Sequence, residues 1–120
     1  LIMDDEHGIR HTASALLNRQ GYSTDTACDG VEAIAMYRKA LEEGQPYRAV
    51  IMDLTVPSGM GGAEAVKILR NYHPSAVVIV SSGYSDDPVI ANYREYGFNG
   101  MVLKPYKVTD LANVIKDLTE

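Results

Sequence analysis

The stretch Ala49-Val50-Ile51-Met52-Asp53 decides how this chain is organised. Four apolar residues, among them β-branched Val50 and Ile51, run without alternation and stop on a carboxylate. An unbroken apolar run of that length fits a strand covered on both faces rather than one with a wet side. The pattern recurs at Leu1 to Met3, Val77 to Val80 and Met101 to Leu103, each run followed by polar residues. Tyr22 to Ala27 instead alternates polar and small residues and reads as an edge strand.

Helical periodicity fills the gaps. Ile9, Ala13, Leu16 and Leu17 share one face, and Gly21 supplies a stop. Ile34, Tyr37 and Leu41 mark a second helix that opens after Asp29-Gly30 and ends at Gly44. Ala65, Ile68 and Leu69 mark a third, ended before Pro74. Asp87 as cap and Pro88 at the first helical position start a fourth, with Ile90 and Tyr93 inward and Gly97 as its end. Leu111, Val114, Ile115 and Leu118 form the last, capped by Thr109 or Asp110. Strands alternating with helices imply a parallel sheet with helices on both faces. Right-handed crossovers then give a single flavodoxin-like (βα)5 three-layer sandwich, α/β in class, with sheet order 2-1-3-4-5.

Composition fits that frame. The 120 residues make one domain, 1–120, able to bury roughly two-thirds of its unfolded surface without a disulfide or metal staple. The charge balance is 11 − 16 = −5 with no basic cluster, which argues against nucleic acid as a partner. The run Ala76 to Val80 falls far short of the ~18 apolar residues a membrane span requires. A single cysteine, Cys28, suits a reducing, cytoplasmic compartment, and the N-terminus lacks a signal-peptide pattern. Because Leu1 already reads as strand, we expect the chain to be a piece of a longer protein.

The polar residues at the strand ends carry the chemistry. Asp4 and Asp5 follow the first strand, Asp53 ends the third, Ser81 and Ser82 end the fourth, and Lys104 ends the fifth. In a parallel sheet these positions share the carboxyl edge, with strands one and three adjacent at the switch point where ligands bind. Two carboxylates ~4 Å apart repel by about 1 kcal/mol in bulk water and about 4 kcal/mol at an effective dielectric of ~20. Three together call for a cation, and all-oxygen ligands select a hard one such as Mg²⁺. A carboxylate beside such a cation and a lysine is a nucleophile toward phosphorus, giving an aspartyl phosphate. Lys104 and a serine hydroxyl would stabilise the phosphoryl oxygens.

The acidic run Asp4-Asp5-Glu6, the stretch Val50 to Pro57, the segment Ser81-Ser82-Gly83-Tyr84 and Lys104-Pro105 resemble the motif set of bacterial response-regulator receiver domains. The resemblance covers essentially the whole chain. The loops Pro57 to Gly62 and Ser82 to Pro88 most resemble receivers attached to hybrid sensor histidine kinases. The resemblance implies that Asp53 is the phosphoacceptor of a phosphorelay. It implies that Asp5 ligates Mg²⁺ or Mn²⁺ directly, that Asp4 acts largely through water, and that the Thr55 carbonyl completes the set. Ser82 would be the switch hydroxyl, since it precedes Gly83 and lies 22 residues before Lys104; Ser81 is the second choice. Lys104 would pair with the phosphoryl group, and its bond to Pro105 is expected to be cis.

Three further positions follow from the same resemblance. Met101 stands where the family usually carries an aromatic switch, so a flexible thioether replaces the ring. Thr55 and Tyr84 sit where the family controls water access to the acyl phosphate, and bulky Tyr84 is expected to slow autodephosphorylation. The implied partners are a histidine kinase or phosphotransfer domain, with a homodimer through the fourth helix, fifth strand and last helix as a further expectation. The chain would then be a switch with only self-directed phosphoryl chemistry, any kinase activity belonging to the parent protein.

Rival readings remain on the same residues. A pseudo-receiver would keep the fold as an interaction module without phosphorylation. An aspartyl phosphatase would need a cap that these short loops cannot build, and a flavodoxin-like carrier would meet repulsion from Asp4-Asp5-Glu6. Alone, Asp4 and Asp5 would read as a helix cap and its neighbour. His7 and His11, four apart, lack a third ligand and read as a solvated face. Gly59, Gly61 and Gly62 read as a mobile loop beside the acceptor, since no Gly-Lys-Ser/Thr follows. Cys28 reads as inert.

Overall fold

A computed structural model describes residues 1–84, 86–107 and 109–119. Among them, strands β1 (Ile2–Met3), β2 (Thr26–Ala27), β3 (Val50–Asp53), β4 (Val78–Ser82) and β5 (Gly100–Leu103) alternate with helices. The helices are α1 (His7–Arg19), α2 (Gly30–Glu42), α3 (Gly62–Tyr72), α4 (Pro88–Ala91) and α5 (Asp110–Thr119). Every strand pair is parallel and the order is β2-β1-β3-β4-β5, as the alternating pattern predicts.

The two-residue period of the pleat sorts the apolar runs into two cores. Val50, Met52, Val78 and Val80 pack with Ala33 and Tyr37 of α2 and with Val66 and Leu69 of α3. Ile2, Ile51, Ile79 and Val102 turn the other way, onto Ala13 and Leu17 of α1 and Leu111 and Ile115 of α5. Both faces of the sheet are therefore dry, which is why the strands show no alternation in sequence.

The helix ends follow the sequence signals. Asp29 accepts from the Glu32 N–H and Asp87 from the Val89 N–H, each at 2.9 Å, and Pro88 begins α4. Gly21 and Gly44 take φ of 92° and 75° just past α1 and α2. There the N–H groups of Gly21 and Tyr22 bond the Asn18 and Leu17 carbonyls, and those of Gly44 and Gln45 bond Leu41 and Ala40. That paired closure needs a residue free of the Cβ penalty at positive φ.

Three details depart from the sequence reading, and one agrees with it. The edge strand β2 is shorter than Tyr22 to Ala27, keeping only Thr26 and Ala27. Ile68 is 40% exposed, and Ala65, Val66 and Leu69 make the inner face of α3 instead. The N-cap of α1 is Glu6, in agreement with the reading of Asp4 and Asp5 as site residues rather than a cap. Lastly, α4 stops at Ala91 rather than continuing to Gly97. Both the backbone N–H and the side-chain amide of Asn92 bond the Pro88 carbonyl, at 3.1 and 3.0 Å. Beyond it Glu95, Tyr96 and Gly97 bond back only three residues, in tight turns. An asparagine side chain that satisfies a helix carbonyl locally competes with the helical ladder, and here it ends it.

Candidate functional site

The same pleat that sorts the core aims the polar residues. Asp4 lies two residues after Ile2, Asp53 two after Ile51, Ser81 two after Ile79 and Lys104 two after Val102. All four thus continue the register of the α1/α5 face. Asp53 stands directly beside Ser81 in the β3–β4 ladder, and Ser81 beside Val102 in β4–β5. The parallel topology puts these ends on one edge, next to the β1–β3 switch point.

Contacts follow from that placement. The Lys104 ammonium donates to Asp53 Oδ1 at 3.0 Å and lies 2.6 Å from Asp4 Oδ2. Asp4 Oδ1 accepts the Glu6 N–H at 2.9 Å, and the Arg10 guanidinium binds the Asp4 carbonyl at 2.8 Å. Asp4 is 1% exposed and Asp53 4%. Burial pushes the Asp53 carboxyl up from 3.8 to about 6; Lys104 and the Thr55 N–H pull down while Asp4 adds to the rise. Burial alone would lower Lys104, but Asp4 and Asp53 together hold it above its ordinary value. One ammonium serves two buried carboxylates here, with a third carboxylate beside them.

The residues present fit a hard divalent cation. Asp4, Asp5 and Asp53 each bring a carboxylate oxygen to within 4.8 Å of the others. Asp4 Oδ2 is buried and forms no hydrogen bond among the described residues, its contact with Lys104 being an ion pair off hydrogen-bond geometry. A buried carboxylate oxygen with an open acceptor direction, in an all-oxygen acidic set, matches the donor chemistry Mg²⁺ or Mn²⁺ takes.

Above the carboxylates lies an open cleft. Asp5, Asp53, Thr55, Ser82, Tyr84 and Lys104 line it, together with Glu6, Pro57 and Gly83. Ser82 Oγ accepts the Tyr84 N–H at 3.1 Å and faces this cleft, whereas the Ser81 hydroxyl is bonded to the Tyr106 hydroxyl at 2.6 Å. Tyr84 is 69% exposed at the cleft mouth. Met101 does not reach the cleft; it packs half-buried against the α2/α3 core. The Lys104–Pro105 peptide bond is cis, as expected. Ser85, within the loop after β4, lies outside the described residues.

Sequence reasoning passed over Glu6 and Pro57 as lining residues, and over Tyr106 entirely. Tyr106 lies three residues past the end of β5, where the strand's period no longer places a side chain. Gly61, in the β3–α3 loop, and Gly62, at the start of α3, meet a steric requirement that the sequence reading did not name. A Cβ at Gly61 would stand 2.5 Å from the Leu54 carbonyl oxygen, and one at Gly62 would stand 2.9 Å from that of Asp53. Close backbone approach under the acceptor strand is the reason for them. His7 and His11 are exposed and stack with ring centroids 6.4 Å apart, in keeping with a solvated face. Cys28 is exposed at the end of β2, where its bond to Glu32 pushes the thiol up and away from thiolate chemistry.

Comparison with known proteins gives consistent matches. A family model described as the response regulator receiver domain matches residues 1–116. The chain is 30% identical to the sensor kinase CckA of Brucella abortus over 120 residues, all of this chain but 12% of that protein's length. It is 28% identical to the sporulation initiation phosphotransferase F of Bacillus subtilis, over 97% of this chain and 89% of that protein. Among solved structures, the chemotaxis protein CheY4 of Vibrio cholerae superimposes with a TM-score of 0.85 at 26% identity. That superposition covers 98% of this chain and 94% of the other.

Proposed function

The chain belongs to the response regulator receiver domain family, and from that premise we propose that it takes a phosphoryl group onto Asp53 and carries it as a signal. The observation that carries this reading is the convergence of Asp4, Asp5 and Asp53 with the Lys104 ammonium bridging two of them. An Asp53 oxygen attacks the phosphorus of a phosphohistidine on a histidine kinase or phosphotransfer domain. The P–N bond breaks as the O–P bond forms, and the departing imidazole takes a proton from water. Lys104 and the Ser82 hydroxyl donate to the phosphoryl oxygens as charge develops on them. A divalent cation held by Asp4, Asp5, Asp53 and the Thr55 carbonyl would offset the negative charge of carboxylates and phosphoryl group.

The consequence of phosphorylation is electrostatic. The acyl phosphate adds negative charge where a carboxylate stood, drawing Lys104 and Ser82 toward it. That pull biases the loops after β4 and β5, and with them the face built by α4, β5 and α5. This face exposes Leu103, and a second copy of the chain is the partner proposed for it. The unit 1–120 acts as a cytoplasmic switch within two-component signalling, and among the described residues no helix is long and apolar enough to cross a membrane. The intact carboxylate–lysine set argues against a pseudo-receiver.

Intact mass after incubation with acetyl phosphate, with and without Mg²⁺, tests the reading. One phosphoryl group, gained only with Mg²⁺ and absent from Asp53→Asn, is expected. If neither acetyl phosphate nor fluoroberyllate, a phosphoryl mimic, engages the protein, the pseudo-receiver replaces this proposal.

A further inference from the structure

We propose that Tyr106 is a positioning residue of this site, holding Lys104 against Asp53 through its bond to Ser81. The turn Lys104-Pro105-Tyr106 is pinned to β4 at both ends. The Lys104 N–H donates to the Ser82 carbonyl at 2.8 Å, and the Tyr106 hydroxyl meets the Ser81 hydroxyl at 2.6 Å. Ser81 is fully buried and stands beside Asp53 in the ladder, with its own carbonyl accepting the Leu54 N–H at 2.9 Å. The Tyr106 ring packs against the α1/α5 core. The phenol therefore fixes the turn that carries Lys104 to the neighbour of the acceptor itself.

The two hydroxyls also answer each other. A buried serine hydroxyl without a partner carries a desolvation cost, and the half-buried Tyr106 phenol relieves it by pairing with Ser81. Ser81 is fully buried and the half-buried Tyr106 ring packs on the α1/α5 core, where apolar side chains would serve packing alone. The polar pair is thus a specific link between β4 and the turn after β5, and Lys104 is the only functional side chain that turn carries. Precision matters here, since an ammonium displaced by ~1 Å loses much of its hold on a developing phosphoryl charge.

The pair provides its own control. In Tyr106→Phe the Ser81 hydroxyl is orphaned, so both stability and Lys104 placement should suffer. In the double variant Tyr106→Phe/Ser81→Ala both polar partners are gone, so stability should recover toward wild type while the link stays broken. Two readouts on the metal-free and Mg²⁺-loaded chain separate the roles. The first is the Lys104 side-chain ammonium signal by NMR, which does not depend on phosphorylation. It should move toward that of a free lysine in the single and the double variant alike. The second, which rests on the phosphoacceptor reading, is the rate of phosphoryl uptake from acetyl phosphate. It should fall about tenfold in both variants. A Lys104 signal unmoved in both variants overturns the proposal, as does an uptake rate that recovers together with stability in the double variant. If wild type takes up no phosphoryl group yet the Lys104 signal moves as stated, the positioning role stands and the phosphoacceptor reading falls.

Discussion

Lys104 reaches Asp53 across 3.0 Å from a strand that never touches the acceptor's own, because β4 lies between β3 and β5. The same ammonium lies against Asp4 at the end of β1. One cation thus ties three strand ends, and it does so with three carboxylates around it. The site is left short of positive charge, and its metal-free state is held together against that excess.

Replacing Asp53 should therefore stabilise the metal-free fold at neutral pH. The folded carboxyl, raised to about 6 from 3.8, binds its proton more tightly than the unfolded one. A raised acid contributes stability below its unfolded pKa and loses that contribution as pH rises through the folded one. Above about pH 7 the ionised group is a net cost, and screening at the open cleft cuts it to about 1–2 kcal/mol. The rise of Lys104 acts at alkaline pH and leaves this window untouched. In EDTA near pH 7.5, Asp53→Asn should raise the thermal midpoint by roughly 4–8 °C. The advantage should vanish near pH 4, below which both proteins are neutral at this position. Thermal circular dichroism across that range decides it, and a lower midpoint for the variant at neutral pH would sink the account.

How much of this was legible beforehand depends on the length scale of the signal. Strand order and the meeting of Asp4, Asp53 and Lys104 were readable because unbroken apolar runs and the polar residues that end them are properties of short contiguous segments. The shortening of α4 was not, since it turns on one side chain, Asn92, choosing the Pro88 carbonyl. Nor was Arg70, which on sequence is one more charged residue on a helix. In the fold its guanidinium gathers the carbonyls of Pro74, Ala76 and Gly97 and the Asn99 amide oxygen at the opposite sheet edge. The Ser81–Tyr106 link joins residues 25 apart and could be suspected only once the sheet register was known.

Asp5 and Lys104 should respond to Mg²⁺ with opposite signs. Asp5 is half-buried and forms no ion pair among the described residues, so Asp5→Asn should leave metal-free stability within ~0.5 kcal/mol while removing about 1 kcal/mol or more of the gain on adding Mg²⁺. Lys104→Met removes the ammonium from two buried carboxylates and should cost about 1–3 kcal/mol without metal. Because that ammonium competes with a bound cation, its loss should enlarge the Mg²⁺ gain. Unfolding in EDTA and in Mg²⁺ gives all four numbers; equal Mg²⁺ gains in the two variants would contradict the assignment.

Two loop glycines near the cleft should behave differently under the same substitution. Gly61→Ala would place a Cβ 2.5 Å from a backbone oxygen of Leu54, which cannot swing aside, and should cost about 1–3 kcal/mol. At Gly83 the same Cβ meets nothing within 4 Å among the described residues, so Gly83→Ala should lie within ~0.5 kcal/mol of wild type. Urea unfolding of the two variants checks this. Equal destabilisation would mean that the close approach under β3 is relieved by a loop shift.

Tyr84 should set how long the phosphoryl group lasts. Its ring is exposed at the mouth of the cleft, and its N–H is bonded to Ser82 Oγ, which keeps the backbone beside the acceptor fixed while the ring stands over the entrance. Hydrolysis needs a water aligned with the acyl-phosphate bond, and a large side chain at the mouth of the cleft reduces that access. Tyr84→Ala should shorten the phosphoryl half-life by about three- to tenfold. Tyr84→Phe, which keeps the bulk and drops the hydroxyl, should leave the half-life near wild type. Following loss of the phosphoryl mass after removal of excess acetyl phosphate measures both. An unchanged half-life in Tyr84→Ala would show that water reaches Asp53 by another route, past Thr55 or Pro57. A shortened one in Tyr84→Phe would instead place the effect on the hydroxyl.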